Sequence, residues 1–245
     1  MPDDRELTRR QLLGILGAAG AAAMGGAACR DAVAYSLPEL LDCVVTPAQT
    51  EGPYFVDARL QRSDIRVDPA TGQVSQGVPL AVAINVVSVI GNACAPVRNA
   101  MVDVWQCDAL GIYSDVRDTQ GLFDTRGKQF LRGYQVTDQS GRAEFLTVYP
   151  GWYPGRTVHI HFKVRVFEGD RRAHEFTSQL YFDDALTDRV FAAEPYRSKG
   201  PRTTRNPQDG IYRQRNSGEA LLLPVVSDGA GYRGSVAVGL RMAQG

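Results

Sequence analysis

The sequence predicts an all-β fold, an antiparallel β-sandwich with long loops. Short runs rich in β-branched and aromatic residues recur at close spacing, and turn signals separate them. Glycine (25) and proline (13) are plentiful, as a turn-rich β protein requires. No segment carries the 3.6-residue apolar period of a convincing amphipathic helix. Apolar residues make up 44% of the 245, ample for one large core. There is no internal repeat, and the only low-complexity stretch is the N-terminal one.

Residues 1–30 read as a twin-arginine-type export signal. Thr8-Arg9-Arg10-Gln11-Leu12-Leu13 opens an Ala/Gly-rich run to Ala28, and paired arginines before a weakly hydrophobic run have this character. The alternative is an uncleaved anchor, but the run is near the lower limit of ~17 residues for a span. Gly26-Ala27-Ala28-Cys29 is a candidate lipoprotein cleavage site with a lipid anchor on Cys29, although a larger aliphatic residue normally stands where Gly26 does. The expected location is therefore exported, periplasmic or secreted. Residues 31–43 form a linker, with a helical turn over 37–41 that Ser36 could cap. Residues 44–245 are the β-sandwich domain.

Within that domain, 46–55 carries two prolines and a glycine and is expected to lie extended over the domain rather than in a central strand. Strands are expected at 79–90, 101–106, 133–137, 142–148, 159–166, 175–182, 218–224 and 234–242. In the second of these, Met101, Asp103 and Trp105 share one face. Residues 108–124 have no periodicity and read as a long loop, which in compact domains is often functional. Residues 189–210 are polar and rich in Pro and Arg, and are expected to be a surface excursion. Formal net charge is zero, so nothing points to nucleic acid or a membrane surface as partner. Four cysteines are present. An exported protein can form disulfides, and Cys94 with Cys107, flanking a turn and a strand, is the first pair to expect; connectivity itself cannot be read from sequence.

The chemistry concentrates in 149–162, Tyr-Pro-Gly-Trp-Tyr-Pro-Gly-Arg-Thr-Val-His-Ile-His-Phe. His159 and His161, two of the three histidines, stand i, i+2 on a strand and so share one face. Two adjacent imidazoles can grip one transition-metal ion. Tyr153 precedes them across a Pro-Gly turn able to fold its ring back. A tyrosine has a pKa of ~10, so only a strong Lewis acid holds it as phenolate at neutral pH, and ferric iron fits best. Taken alone, a His-x-His is as readily two ordinary strand histidines beside an aromatic loop. A ferric site also needs a further anion, and residues 105–114, which include Tyr113, supply a candidate.

Three stretches, 46–55, 102–114 and 130–162, resemble the intradiol ring-cleavage dioxygenases of the protocatechuate 3,4-dioxygenase type. The most specific feature is the ordered set Tyr113, Tyr153, His159 and His161, with Arg156 three residues before the first histidine. The resemblance implies an Fe(III) cofactor held by those two phenolates and two imidazoles. It implies a catechol-type substrate and O2 as partners, with a place in aromatic compound catabolism. Tyr153 corresponds to the axial ligand that yields to the catechol. Arg156 corresponds to the guanidinium over the substrate ring, Gln179 to the glutamine near the oxygen side, and Gly52, Pro53 and Tyr54 to a wall of the substrate pocket. Oligomers are compatible with a complete ligand set in one chain.

The chain departs from better-known members in its short connector from Tyr153 to His159, in lacking a long N-terminal helical region, and in its export signal. Plainer readings accompany each residue. Tyr149 is a rival ligand to Tyr153, Tyr113 could be a surface aromatic, and Arg156 an ion-pair partner. Gln179 could satisfy a backbone group. His174 reads as a solvated loop residue, Trp105 as packing beneath the site, and Asp103 and Asp108 as structural. Two other functions compete: a non-catalytic β-sandwich binding module that retains the motif, and a zinc hydrolase. The second lacks a carboxylate base at the expected spacing, and two tyrosine ligands are unusual for zinc.

Overall fold

The computed structural model describes residues 43–119 and 121–242; the expected export signal, the candidate lipidation site Cys29, the expected 37–41 turn and nearly all of the expected linker lie outside them. Two sheets, mostly of antiparallel pairs, account for the described strands. In the first, β1 (Pro79–Ile90) is central. Its first half pairs with β5 (Arg142–Val148) and its second half with β2 (Ala93–Pro96), both antiparallel. Its other edge pairs in parallel with β9 (Gly231–Leu240), which carries β8 (Val225–Asp228) outside it. The second sheet runs in the order β4 (Arg132–Val136), β3 (Met101–Trp105), β6 (His159–Glu168), β7 (Arg171–Tyr181), all antiparallel.

Period two explains the core. Leu80, Val82, Ile84 and Val86 of β1 meet Val102 and Val104 of β3 and Ile160, Phe162 and Val164 of β6 in one apolar cluster fed by both sheets. The alternate residues of β6, which are His159, His161, Lys163 and Arg165, point to the opposite face, yet they too are buried. That outer face is covered by the segment before β1 and by the chain between β3 and β4. Lys163 pairs with Glu51 and Arg165 with Asp57 and Asp103, so the cover is docked by charge as well as by Phe55, whose ring lies 4.0 Å from Lys163 Nζ. Between β3 and β4 the described residues make only one isolated bridge, Arg117 with Asp124.

Several expectations are corrected. The disulfide joins Cys43 to Cys94, not Cys94 to Cys107. Cys107 is free and buried against Trp105 and Tyr113, with its thiol pushed up to about 12 by burial. Residues 218–224 hold a single 3-10 turn at Glu219–Leu221 and one bridge from Leu222 to Tyr181 rather than a strand. The polar stretch from 189 is not a simple surface excursion. It begins inside α1 (Asp184–Phe191), which Asp183 caps by accepting from Leu186 N–H and which buries Leu186 and Val190. It continues through buried Tyr196, Thr204, Asn206 and Asp209. His174 lies within β7 opposite Val166, not in a loop.

Candidate metal centre

The outer face of β6 presents both imidazoles side by side, with Nε2 atoms 3.0 Å apart. His159 Nδ1 donates to the Thr157 carbonyl at 2.6 Å. That bond fixes the tautomer and leaves the Nε2 lone pair facing the other groups. Trp105, opposite His161 in the β3–β6 register, stacks on its ring at 5.0 Å with planes 8° apart. Gly52 backs the same ring. Its φ of +71° suits glycine, and a Cβ there would sit 3.4 Å from His161 Cε1. Trp105 therefore packs beneath the site, as its position in the strand suggested.

Two phenols close on the imidazoles. Tyr153 Oη is 3.1 Å from His159 Nε2 and Tyr113 Oη is 3.4 Å from it. Tyr113 lies far away in sequence and reaches this point because its loop docks on the 149–153 turn, backbone against backbone. Gly111 and Gly151 stand at the contact; a Cβ on Gly111 would be 2.1 Å from the Trp152 carbonyl oxygen, and one on Gly151 would be 2.3 Å from that of Ala109. Asp108 fastens the same loop by accepting from the N–H groups of Leu110 and Ile112 at 2.9 Å each. Lys199 ties both sides by donating to the carbonyls of Leu110 and Trp152. Asp108 and Asp103 are structural, the latter holding Arg165 at 2.7 Å. Tyr149 is no rival, for it packs in the main core and its hydroxyl meets Thr187 Oγ1 at 2.8 Å.

Arg156 borders the cluster. Its Nη1 lies 3.4 Å from His159 Nε2, its Nη2 donates to Gln179 Oε1 at 2.5 Å, and its Nε donates to Asp209 Oδ2 at 2.9 Å. Gln179 donates to the Thr50 carbonyl at 2.9 Å and accepts from Tyr181 Oη at 3.2 Å. Tyr54 stacks on Tyr113 at 4.6 Å and donates its hydroxyl to Asp118; burial first, and then that carboxylate, push its phenol up to about 12. Gly52 and Tyr54 thus border the four-residue cluster, with Pro53 between them. Sequence reasoning missed Asp209, Tyr181 and Gln49, whose Oε1 accepts from Tyr181 Oη at 2.7 Å. A buried carboxylate after a Pro-rich polar stretch leaves no periodic signal to find it by.

Burial governs the electrostatics of the four groups. Burial raises the phenols of Tyr113 and Tyr153 well above the ordinary tyrosine range. Burial also lowers both histidines well below 6.5, with Arg156 adding to the effect. All four groups are then neutral, and a highly charged ion would reverse the preference of the phenols. Among the described residues no three His, Cys, Asp or Glu side chains gather as a metal site; the converging donors are two imidazoles and two phenols. His161 Nδ1 is buried without a hydrogen-bond partner, whereas His159 Nδ1 is fixed by the Thr157 carbonyl. Hard phenolate oxygens with neutral imidazoles fit a trivalent transition ion.

Comparison with known proteins gives concordant matches. The Dioxygenase_C family model, described as dioxygenase, matches residues 50–206. The chain is 35% identical over 140 residues to the protocatechuate 3,4-dioxygenase beta chain of Burkholderia cepacia, an alignment covering 52% of this chain and 57% of that protein. It thus spans little more than half the length of that curated relative. The solved intradiol ring-cleavage dioxygenase from Tetranychus urticae superposes with a TM-score of 0.69 at 30% identity, covering 81% of this chain and 95% of that one. The dioxygenase domain of a dioxygenase carbohydrate-binding protein fusion from Streptomyces sp. SirexAA-E gives 0.56 at 32%, covering 82% and 100%.

Proposed function

Because the chain belongs to the intradiol ring-cleavage dioxygenase family, we propose that it is a non-haem Fe(III) enzyme cleaving a catechol-type ring with O2. Cleavage falls between the two oxygen-bearing carbons and gives a muconate-type diacid. The observation that carries this reading is the convergence of two phenol oxygens and a second imidazole within 3.4 Å of His159 Nε2. Tyr113, Tyr153, His159 and His161 are the residues that hold the ion. When bound, ferric iron supplies a Lewis-acidic centre that draws electron density from a chelated catechol and so prepares the ring for dioxygen.

The chain's own residues divide the remaining work. Tyr113 is fully buried and stacked under Tyr54, which makes it the fixed phenolate. Tyr153 is half-buried, and the Pro154-Gly155 turn beside it is exposed. Tyr153 is the less enclosed of the two phenols, and its Oη can accept one of the two protons a catechol sheds. Arg156 is always charged and is held by Asp209 and Gln179. It favours electron-rich states of the ring by electrostatics, and its planar guanidinium can stack where an ammonium cannot. Pro53 and Tyr54 wall the pocket, and Gly52 leaves room behind His161. Export belongs to the same proposal, and the Cys43–Cys94 disulfide supports it, since such bonds persist in oxidising compartments.

Tyr153→Phe tests the assignment. The variant is expected to keep part of its iron, through Tyr113 and the two histidines, while turnover of catechol falls by ~10²-fold or more, the usual scale for a proton acceptor. Turnover equal to the wild type would remove Tyr153 from the mechanism.

A further inference from the structure

The side chain of Asp209 is 0% exposed, and both of its oxygens are fully engaged. Oδ1 accepts from the backbone N–H groups of Ile211 at 2.7 Å and Tyr212 at 3.2 Å. Oδ2 accepts from Arg156 Nε and from Thr157 N–H, each at 2.9 Å. Thr157 is the hinge of the arrangement. Its N–H is held by Asp209, its hydroxyl meets Asn206 Oδ1 at 2.6 Å, and its carbonyl takes the Nδ1–H of His159 at 2.6 Å. One carboxylate therefore reaches two members of the site, the guanidinium directly and the imidazole through a single residue of backbone.

We propose that Asp209 is the positioning residue of this site: it sets the Arg156 guanidinium and, through Thr157, the orientation of the His159 imidazole. With Nε held by Asp209 and Nη2 by Gln179, the planar fork has two fixed corners, and Nη1 is left facing His159 Nε2 at 3.4 Å. Rotating Arg156 away would strand a buried carboxylate, which is strongly unfavourable. The segment after α1 is thereby part of the site, although it contributes no atom to the converging donors. The activity readout of this proposal rests on the ferric dioxygenase reading.

Asp209→Asn tests it. An amide has one acceptor oxygen where the carboxylate has two, so whichever way it turns its NH2 meets N–H groups. The first readout needs no metal. In iron-free wild-type protein labelled with 15N-histidine, the His159 Nδ1–H proton is expected to exchange slowly, and in Asp209→Asn at least ~10-fold faster, because a local opening easier by about 1.4 kcal/mol speeds exchange tenfold. Fast exchange in the wild type, or an unchanged rate in the variant, overturns the link through Thr157. In the iron-loaded enzyme, kcat is expected to fall by ~10²-fold with KM changed by less than ~3-fold, as for a misplaced group acting after binding. In an Arg156→Gln background the same substitution should cost less than ~3-fold more, because the two act as one unit. Wild-type kcat, or a full independent loss in that background, overturns the role. An iron-loaded wild type without turnover would instead defeat the dioxygenase reading, and the exchange measurement would still decide the role of Asp209.

Discussion

At the scale of the residue, the site stores its donors in neutral form. His159 and His161 are buried, so desolvation, and then the nearby Arg156 charge, hold them unprotonated far below 6.5. In the unfolded chain the same imidazoles protonate as pH drops through about 6.5. Below that pH the unfolded state binds more protons than the folded one, so folding stability falls with acidification. Above it these residues add no pH dependence. Each histidine is expected to contribute a slope of about 1.4 kcal/mol per pH unit below 6.5 in the metal-free protein. Carboxylates such as Asp57 and Asp64, held low by Arg165 and Arg66, also lose stability in acid. The difference between wild type and His161→Gln isolates the histidine contribution. Urea unfolding at pH 7.5 and 5.5 checks it, and the variant should lose less stability than the wild type across that interval. Equal losses would mean that His161 is not buried neutral.

At the scale of the element, β6 explains why part of the site could be read from the sequence and part could not. Its alternation places Ile160, Phe162 and Val164 in the core and both histidines on the other face, and that period is visible without a structure. The same holds for β1 and β5, whose limits coincide with the expected 79–90 and 142–148. β2 was invisible, for Ala93–Pro96 is exposed throughout and ends in proline. The run Leu221-Leu222-Leu223 suggested a strand, but so short an apolar run has no readable period, and it folds as a 3-10 turn and a single bridge. The contact between the Tyr113 loop and the Tyr153 turn is likewise an element-scale feature, set by glycine. Gly151→Ala introduces a methyl 2.3 Å from the Ala109 carbonyl oxygen, with backbone rather than a flexible side chain in the way. The expected cost is about 1–3 kcal/mol, the usual range for overpacking, together with a lower iron content after purification, because the two phenols are pushed apart. Wild-type melting and iron retention in Gly151→Ala would show that this contact does not set the distance between the tyrosines.

At the scale of the whole molecule, the second sheet carries a charged and aromatic outer face that another part of the chain must cover. The segment before β1 does so. Gln49 N–H donates to Thr177 O of β7 at 3.0 Å, and Glu51 and Asp57 pair with the cations of β6; the start of the segment is tied to the first sheet, by Thr46 N–H to Gly239 O at 2.9 Å and by Cys43 to Cys94 of β2. Its proline-rich composition did announce an extended cover. Its covalent partner was not legible, because a bond across a separation of 51 residues depends on sheet register, and local spacing favoured Cys107. Asp209 was hidden for a related reason: a polar stretch reads as solvated until its buried Asn206 and Asp209 are seen to satisfy backbone groups. Tyr113, Tyr153, Arg156, His159 and His161 were legible as an ordered set, and the fold gathers them at one point.

We propose that this point holds ferric iron on two phenolates. The most direct measurement is the visible spectrum of the purified protein, together with its metal content. A red-brown protein containing iron, with a tyrosinate-to-Fe(III) charge-transfer band that shifts or bleaches when catechol is added, is the predicted result. A colourless protein that holds zinc or no metal, even after iron loading, would contradict it.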